Sequence, residues 1–315
     1  MGLAARDRTR WGILSTAKIN LAVLEGARAA AGVEFVAIAS RDSARAEAYA
    51  HEHGLARAHG SYEALLADDG IDAVYIPLPN SLHHEWTLRA LAAGKHVLCE
   101  KPYTRHGVEV EEAFDLAERN GLILSEAFMW RHNPQTARFI ELLPEIGELQ
   151  TIRATFSFRL GNETDVRMVP ELDGGALMDV GCYCVSGARL LGGEPERVHG
   201  EQVNGPTGVD VRFTATLRFP DDVVAEFTCA FTHEHHGLEV IGSEGTLFAG
   251  DPWHCKDGLI LVNGRQERVP PANSYTLELE NVSGAIRGEA RLLLGREDAL
   301  GQALTIEALY DSASA

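Results

Sequence analysis

Residues 11–20 read Trp-Gly-Ile-Leu-Ser-Thr-Ala-Lys-Ile-Asn, an apolar run that passes through small residues into a helical pattern. Trp11–Leu14 predicts a short buried strand, and Ile19–Ala30 predicts the helix after it. A strand that turns directly into a helix can hold a pyrophosphate on the backbone N–H groups of the helix N-terminus. Because Ser15 and Ala17 replace the glycines usual in such a turn, the segment alone is equally compatible with an ordinary strand-to-helix connection.

The alternation of strand and helix continues to about residue 125. Further strands are predicted at Val33–Ala39, Ala73–Pro77 and His96–Cys99 and from Leu122, with helices at Ser43–His53, Tyr62–Leu66, Leu82–Ala93 and Val108–Asn120. Strands that alternate with helices of this length indicate a parallel sheet covered by helices. We therefore predict an α/β chain in which residues 1–125 form a Rossmann domain that binds NAD(P).

The pattern changes from residue 126 onward. Period-2 runs predict strands at Thr151–Leu160, Val209–Phe219, Val223–Thr232, Gly237–Gly242 and Gly245–Ala249. Their connections are short and contain Pro, Gly and Asp, which is typical of antiparallel neighbours. We predict that residues 126–315 form an α+β substrate-binding and oligomerisation domain with a largely antiparallel, open-faced sheet. Helices are predicted at Pro134–Leu143 and Leu177–Leu191, with a last helix over 298–312 that packs back on the body. Since an exposed apolar sheet surface usually marks an interface, we expect a homodimer or homotetramer through this sheet.

Charge and composition exclude several classes of function. A formal net charge of −18 argues against nucleic acids and anionic membrane surfaces as partners. The one basic cluster, Arg6, Arg8 and Arg10, is expected to be a frayed terminus. No apolar run approaches the length of a membrane span, and the first ten residues lack the apolar region of a secretion signal. Five cysteines without a Cys-x-x-Cys pair are typical of reduced thiols, so we expect a cytoplasmic enzyme with a small-molecule substrate.

The end of the second predicted strand indicates which dinucleotide is bound. A Rossmann domain that prefers NAD carries an acidic residue there, which binds the ribose hydroxyls. This chain has Ser40-Arg41, a hydroxyl and a guanidinium that suit the 2′-phosphate of NADP. Asp42 follows directly; it either caps the next helix or allows NAD to bind as well. We predict NADP(H), with NAD as the alternative.

Several motifs together resemble one family. Cys99-Glu100-Lys101-Pro102 resembles the hallmark of the glucose-fructose oxidoreductase/inositol dehydrogenase (Gfo/Idh/MocA) family, in particular the branch with NADP-dependent aldose 1-dehydrogenases and dihydrodiol dehydrogenases. The segments at 79–83, 126–131 and 174–183 are similar in order and spacing. The resemblance implies cofactor contacts from Ser15, Thr16, Ala17, Lys18, Ile19, Leu78, Asn80, His83, Glu100 and Lys101. It also implies a cis bond before Pro102 and a sugar-like substrate.

Lys101, Asp179 and Tyr183 are the candidate catalytic residues. Lys101 ends a buried strand, where a lysine partly removed from water can exchange a proton near neutral pH. Asp179 and Tyr183 are four apart, so an α-helix would place both on one face. The resemblance gives Tyr183 the acid/base role, helped by Lys101, and lets Asp179 orient a substrate hydroxyl. Because a tyrosine titrates near 10, either Tyr183 or Lys101 remains the candidate proton donor. We expect the two to meet at the nicotinamide in a cleft between the domains.

Other features of the sequence allow more than one interpretation. Trp130 and Arg131 are candidate substrate or cofactor contacts, or else domain-interface packing. The run Thr232–His236 contains three histidines, but they do not share one face of a strand, so we predict a polar hairpin and no metal.

A dihydrodiol dehydrogenase or a ketone or imine reductase fits the same residues as an aldose dehydrogenase. From other classes, a cofactor-binding sensor without turnover and an NAD-dependent lyase or glycosidase are the alternatives.

Overall fold

The computed structural model describes residues 7–162 and 164–314, which divide into two compact units. The first unit takes in the chain up to Thr104, Val108–Met129 and Tyr275–Ala299, and the second takes in Arg105–Gly107, Trp130–Ser274 and the chain from Leu300. The predicted boundary at residue 125 lies near Met129, but the sequence placed residues 275–299 in the second domain. That placement is corrected here: this late segment packs into the core of the first unit.

The first unit contains a six-stranded parallel sheet of order β3-β2-β1-β4-β5-β6. Its strands are β1 (Thr9–Leu14), β2 (Val33–Ala39), β3 (Arg57–His59), β4 (Ala73–Ile76), β5 (His96–Glu100) and β6 (Leu124–Ala127). The predicted parallel sheet is confirmed. β3 was missed because it has three residues, none of them fully buried, and two of them are Arg57 and His59.

Local signals set the helices of this unit. They are α1 (Asn20–Ala29), α2 (Ser43–His53), α3 (Tyr62–Leu66), α4 (His83–Ala92), α5 (Gly107–Asn120) and, from far along the chain, α8 (Ser274–Arg287). Asp42 caps α2 by accepting a hydrogen bond from the Arg45 backbone N–H, and Gly54 ends it with φ 72°. Ser61 caps α3 in the same way, by accepting from the Ala64 N–H.

The core of the first unit explains why α8 belongs to it. Trp11, Ile38 and Leu98 have no exposed surface, and Leu279 and Val282 of α8 belong to the same buried cluster. Burial of that apolar surface is the main force that holds α8 against the sheet.

Contacts at the start of the sheet correct the expectation of a frayed basic terminus. Arg10 lies in β1, and its guanidinium pairs with the carboxylate of Asp72 at 2.6 Å. Arg6 lies outside the described residues.

The second unit contains an eight-stranded sheet of order β14-β13-β12-β11-β7-β10-β9-β8. Its strands are β7 (Leu149–Ser157), β8 (Arg197–Asn204), β9 (Asp210–Arg218), β10 (Val224–Ala230), β11 (His235–Gly242), β12 (Thr246–Ala249), β13 (Leu259–Val262) and β14 (Arg265–Arg268). All neighbours are antiparallel except β7 and β10, which run parallel. The predicted, largely antiparallel sheet is confirmed, although β8, β13 and β14 were not anticipated.

Helices cover one face of this sheet. They are α6 (Pro134–Glu141), α7 (Cys182–Gly192), which follows a π-helical turn at Leu177–Gly181, and α9 (Arg296–Ala313). Side chains buried in β7, β9 and β10 fill the space beneath them, among them Ile152, Phe213 and Phe227. None of the helices within the described segments combines the length and the hydrophobicity that a membrane crossing requires.

The opposite face of the sheet carries ion pairs and hydroxyl groups. Arg153 pairs with Glu226 at 2.5 Å and with Glu239 at 3.3 Å, and the hydroxyls of Thr214 and Thr228 are 3.2 Å apart. Val203 of β8 and Phe248 of β12 are exposed on the same face, which therefore mixes polar and apolar side chains. The expected oligomer through this face stays a prediction.

Candidate active site

The turn between β1 and α1 is tied to the carboxyl ends of two neighbouring strands. Ser15 adopts φ 112°, its N–H donates to the Ala39 carbonyl at 3.1 Å, and its hydroxyl donates to the Pro77 carbonyl at 3.1 Å. Asn20, which is fully buried, donates from its amide to the Ser15 carbonyl at 2.8 Å. The serine therefore holds the conformation for which glycine is usually required.

Residues 16–19 offer a row of backbone donors. The carbonyls of Ala17 and Lys18 accept from the N–H groups of Asn20 and Leu21 as the helix begins. The N–H groups of residues 16–19 donate to no other backbone group within the described chain. Unused donors at a helix N-terminus form an anion-binding site. The predicted cofactor residues Ser15, Thr16, Ala17, Lys18 and Ile19 thus fit a pyrophosphate.

The end of β2 presents a cation. Arg41 is exposed, whereas Ser40 is 7% exposed and its hydroxyl accepts from the Asp42 N–H at 3.3 Å. The Asp42 carboxylate caps α2, which is the first of the two roles considered for it. An exposed guanidinium beside a committed carboxylate suits a 2′-phosphate.

His83 connects the segments that follow β4 and β5. Its Nε2 lies 2.8 Å from the Leu78 carbonyl, and its Nδ1 lies 2.8 Å from the Pro102 carbonyl. Burial lowers the pKa of His83 to about 4, so the ring is neutral and donates to one of these oxygens. Both ring nitrogens therefore face backbone carbonyls, one of them as a donor. His83 positions Leu78 and Pro102 and leaves no ring nitrogen for a cofactor. Asn80 begins a partly exposed 3₁₀ turn at Asn80–Leu82.

Lys101 follows β5 at the carboxyl edge of the sheet. Glu100 accepts a hydrogen bond from the Tyr75 phenol on one oxygen and lies 3.3 Å from the Lys101 backbone N–H with the other. The peptide bond between Lys101 and Pro102 is cis, as the resemblance implied. Just beyond it, the Tyr103 N–H donates to the buried carboxylate of Glu126 at 2.8 Å. These contacts fix the backbone on both sides of Lys101.

The segment that carries Asp179 and Tyr183 is not a continuous α-helix. Asp179 lies in the π-helical turn, and Tyr183 lies in the first turn of α7. The wider turn brings Gly181 against β10, where a Cβ atom would lie 2.7 Å from Cys229 Sγ. Asp210 fixes the start of the turn by accepting from the Leu177 N–H at 2.7 Å. The predicted uninterrupted helix over Leu177–Leu191 is therefore wrong in its first turn, a kind of deviation common at functional sites.

Arg167 holds Asp179. Its Nε donates to the Asp179 carboxylate at 2.7 Å, and the same guanidinium pairs with Asp165 at 3.2 Å. The negative charge of Asp179 raises the pKa of Arg167. Sequence reasoning missed Arg167 because it lies in a single 3₁₀ turn, Val166–Met168, without a periodic pattern.

Aromatic rings surround Tyr183 on the inner face of the second unit's sheet. Phe156 of β7 lies edge-on to Tyr183 at 5.1 Å between ring centres, and Trp253 lies at 6.1 Å. The rings of His236 and His254 contact Phe156 at 5.1 and 5.5 Å. We call these four residues and Tyr183 the aromatic wall.

The prediction that residues 232–236 form a polar hairpin is wrong in part. His235 and His236 are part of β11 and not of a hairpin connection, so His236 faces inward beside Phe156. Among the described residues, no three His, Cys, Asp or Glu side chains converge in a way that could hold a metal ion. The predicted strand at Gly237–Gly242 is present and begins two residues earlier, at His235.

Trp130 and Arg131 lie behind the aromatic wall. Trp130 is 1% exposed and packs edge-on to Trp253 at 5.2 Å. Arg131 lies over the Trp130 ring at 5.8 Å and donates to the Ser186 hydroxyl at 3.4 Å. Trp130 therefore supports the wall by packing inside the second unit, and no exposed face of its ring is left for a ligand.

Two family models match most of the chain. Residues 10–128 match an oxidoreductase family with an NAD-binding Rossmann fold, and residues 144–248 match the GFO/IDH/MocA C-terminal domain.

Similar proteins cover nearly the full length. D-xylose 1-dehydrogenase (NADP(+)) 2 of Haloferax volcanii is 42% identical over 314 residues, which is 96% of this chain and 97% of that protein. Trans-1,2-dihydrobenzene-1,2-diol dehydrogenase of Danio rerio is 34% identical over 87% of this chain and 84% of its own. A crystal structure of a 3-ketoreductase from Actinomadura kijaniata, in complex with NADP and TDP-benzene, has a TM-score of 0.91 at 31% identity and covers 97% of this chain and 98% of its own. The motif around Lys101, the two-unit architecture and these similarities lead to one conclusion: the chain belongs to the Gfo/Idh/MocA family of oxidoreductases.

Proposed function

We propose that this oxidoreductase moves a hydride between NADP(H) and a CH–OH or C=O carbon of a small polyhydroxylated substrate, with an aldose such as D-xylose as the first candidate. The observation that carries the cofactor choice is the exposed guanidinium of Arg41 next to an Asp42 that is committed to the cap of α2. The NADP(+)-dependent D-xylose 1-dehydrogenase of Haloferax volcanii and the NADP bound in the Actinomadura structure support this choice.

The residues of the first unit fit the parts of a dinucleotide. The N–H groups of residues 16–19 would hold the pyrophosphate, and Ser40 and Arg41 would hold the 2′-phosphate. Asn80 and Glu100 lie at the carboxyl ends of β4 and β5, the edge at which open α/β sheets bind ligands. The bound nicotinamide would supply the hydride acceptor or donor.

We propose Lys101, Tyr183 and Asp179 as the proton-handling residues. Asp179, held by Arg167, would accept a hydrogen bond from the substrate hydroxyl and so fix its direction. Tyr183 would take the hydroxyl proton during oxidation and return it during reduction, and the Lys101 ammonium would stabilise the phenolate. The reverse assignment, with Lys101 as the proton donor, is the alternative.

A panel of aldoses and vicinal diols, followed by nicotinamide absorbance with NADP and with NAD, tests this proposal. We expect turnover of at least one aldose with NADP, and a loss of about 100-fold or more in kcat for Lys101→Met and Tyr183→Phe with folding retained. A folded enzyme that binds NADPH but turns over no compound would favour a sensor. Tightly retained cofactor with product formed but no net redox change would favour a lyase or glycosidase.

Dihydrodiol dehydrogenase activity is the second candidate. The aromatic wall beside Tyr183 is the observation that favours it, because rings accommodate an apolar carbocycle. The Danio rerio relative carries that name. The diols in the same panel separate the two candidates through their ratio of kcat/KM.

We also propose that the enzyme works as a homodimer or homotetramer in the cytoplasm. The paired charges and hydroxyls on the outer face of the second unit's sheet suit a hydrated interface between copies. Sedimentation equilibrium tests it, and a monomer at all concentrations would contradict it.

A further inference from the structure

We infer that His236 and His254 bind hydroxyl groups at the end of the substrate remote from the reacting carbon. The substrate is then a polyol along its whole length, and not a diol on a hydrocarbon ring. This inference rests on the proposed function and names the substrate class for the same site.

Both imidazoles contact the Phe156 ring, which also contacts Tyr183. From Tyr183 to Phe156 and from Phe156 to His236 are two ring-to-ring steps of 5.1 Å each. The His236 and His254 rings are 5.6 Å apart. A sugar whose reacting hydroxyl meets the Tyr183 phenol would bring its last hydroxyls to the two imidazoles.

Hydrogen bonds leave the same atom available on both rings. His254 uses Nδ1 to contact the Asp251 carboxylate at 2.9 Å, so Nε2 is the nitrogen left for a ligand. His236 Nδ1 is covered, and no described residue gives it a hydrogen-bond partner, so Nε2 is again the one left. With Nδ1–H directed at the Asp251 carboxylate, Nε2 of a neutral His254 accepts from a hydroxyl, and the neighbouring His236 Nε2 offers a second hydrogen-bonding atom, so the pair matches adjacent hydroxyl groups.

Asp251 sets the orientation of His254. Besides the contact with the ring, its oxygens accept from the backbone N–H groups of His254 at 3.3 Å and Lys256 at 3.1 Å. Although burial opposes it, these hydrogen bonds lower the pKa of Asp251 to about 2. The carboxylate is therefore charged and fixed, and it directs the free side of His254.

Charge favours neutral hydroxyls over an anionic group at this end. Burial and the neighbouring His254 lower the pKa of His236, so that ring is neutral at pH 7. The Asp251 carboxylate, which contacts His254, would repel a phosphate or a carboxylate. A substrate with a hydrocarbon end would cover both Nε2 atoms without giving them a hydrogen-bond partner. Because a site with unpaired polar atoms binds such a substrate poorly, the site selects against it.

Phenylalanine substitutions test the inference, since they keep a ring and remove the hydrogen-bonding nitrogens. We compare His236→Phe and His254→Phe with a matched control, His235→Phe, whose side chain is exposed on the same strand. The probes are D-xylose and trans-1,2-cyclohexanediol, a diol without remote hydroxyls. For each of the two inner variants, His236→Phe and His254→Phe, we expect KM for D-xylose to rise about tenfold or more and kcat to stay within about threefold of the wild-type value. The kcat/KM for the cyclohexanediol should be unchanged or higher. The control should change neither.

Two outcomes separate this inference from the proposed function. Wild-type enzyme that oxidises D-xylose with NADP, together with inner variants whose KM is unchanged, would overturn the inference alone. Wild-type enzyme that oxidises the cyclohexanediol but no aldose would overturn both the inference and the aldose assignment. If a phenylalanine variant does not fold, His254→Gln and His236→Gln replace it, since glutamine keeps a polar end on the side chain. A rise of less than tenfold in KM for D-xylose in these variants supports the inference. No rise in either glutamine variant contradicts it.

Discussion

The phenol of Tyr75 donates a hydrogen bond to the carboxylate of Glu100, the residue directly before Lys101. Tyr75 has no exposed surface, and burial, together with the charge of Glu100, raises its pKa well above the usual value. The phenol is therefore a permanent donor. Through this contact the core of the first unit holds Glu100 in place, and the direction of Lys101 depends on Glu100.

Replacing Tyr75 by Phe should lower kcat with little effect on NADPH affinity. The lost hydrogen bond to a charged acceptor should also reduce the free energy of unfolding by about 1.5–3 kcal/mol. Tyr103→Phe is the control, because its buried hydroxyl contacts His84 instead. Stopped-flow turnover, fluorescence titration with NADPH and urea denaturation measure the three quantities. Equal kcat in the two variants would contradict a positioning role for Tyr75.

Glu278 is a second buried acid, and it should make the free energy of unfolding depend on pH. Glu278 of α8 is 2% exposed, and burial, followed by the charge of Glu100, raises its pKa well above the usual value. The folded state keeps the proton of Glu278, whereas the unfolded chain releases it near pH 4.5. This group therefore stabilises the fold fully below that pH, and its contribution falls as pH rises toward the folded pKa.

Glu278→Gln should remove this decrease of stability with rising pH. Relative to wild type, the variant should gain about 1.4 kcal/mol in the free energy of unfolding for each pH unit above 4.5 until the folded pKa is reached. Urea denaturation of both proteins at pH 5 and pH 7.5 gives the difference, in which the other titrating groups cancel. A constant difference between the two pH values would show that Glu278 is ionised in the folded protein.

The ion pair between Arg167 and Asp179 should matter for catalysis. Arg167→Met keeps the length of the side chain and removes the donors, so Asp179 loses the contact that sets its direction. We expect kcat/KM for the best aldose to fall about 10–100-fold, while NADPH binding stays the same. Arg212→Met, an exposed arginine of β9, should have no effect. Similar values for both variants would remove Asp179 from the reaction.

Arg41 should decide the choice between the two dinucleotides. Arg41→Ala removes the proposed partner of the 2′-phosphate, so KM for NADP should rise about 10–100-fold and KM for NAD should stay within about twofold. Arg45→Ala, an exposed arginine of the same helix start, is the control. Initial rates with each cofactor at saturating substrate provide the measurement. A parallel rise for both cofactors would place Arg41 elsewhere in the binding site.

Periodic segments with end signals were predictable, and segments without them were not. The caps at Asp42 and Ser61 and the left-handed Gly54 appear in the sequence and in the structure. The hairpin of β13 and β14 was overlooked although its turn, Asn263-Gly264, is a strong hairpin signal with φ of 51° and 78°.

The site was predictable where a local motif carries it. Glu100, Lys101 and the segment around Asp179 could be named because neighbouring residues in the chain form the pattern. Arg167 and His254 could not, because their roles depend on contacts that only the folded chain brings together. The sequence also contained no sign that α8 completes the first unit.

That late segment has a consequence for how the protein is made. The first unit needs residues 275–299, so its sheet cannot bury its full core until the ribosome has synthesised the chain through residue 299. Trp11, whose indole donates to the Ser283 hydroxyl at 3.0 Å, must wait for a partner 272 positions away. Expression of residues 1–125 alone would therefore leave an apolar surface uncovered, and excision of an autonomous nucleotide-binding fragment would require α8 to be supplied with it.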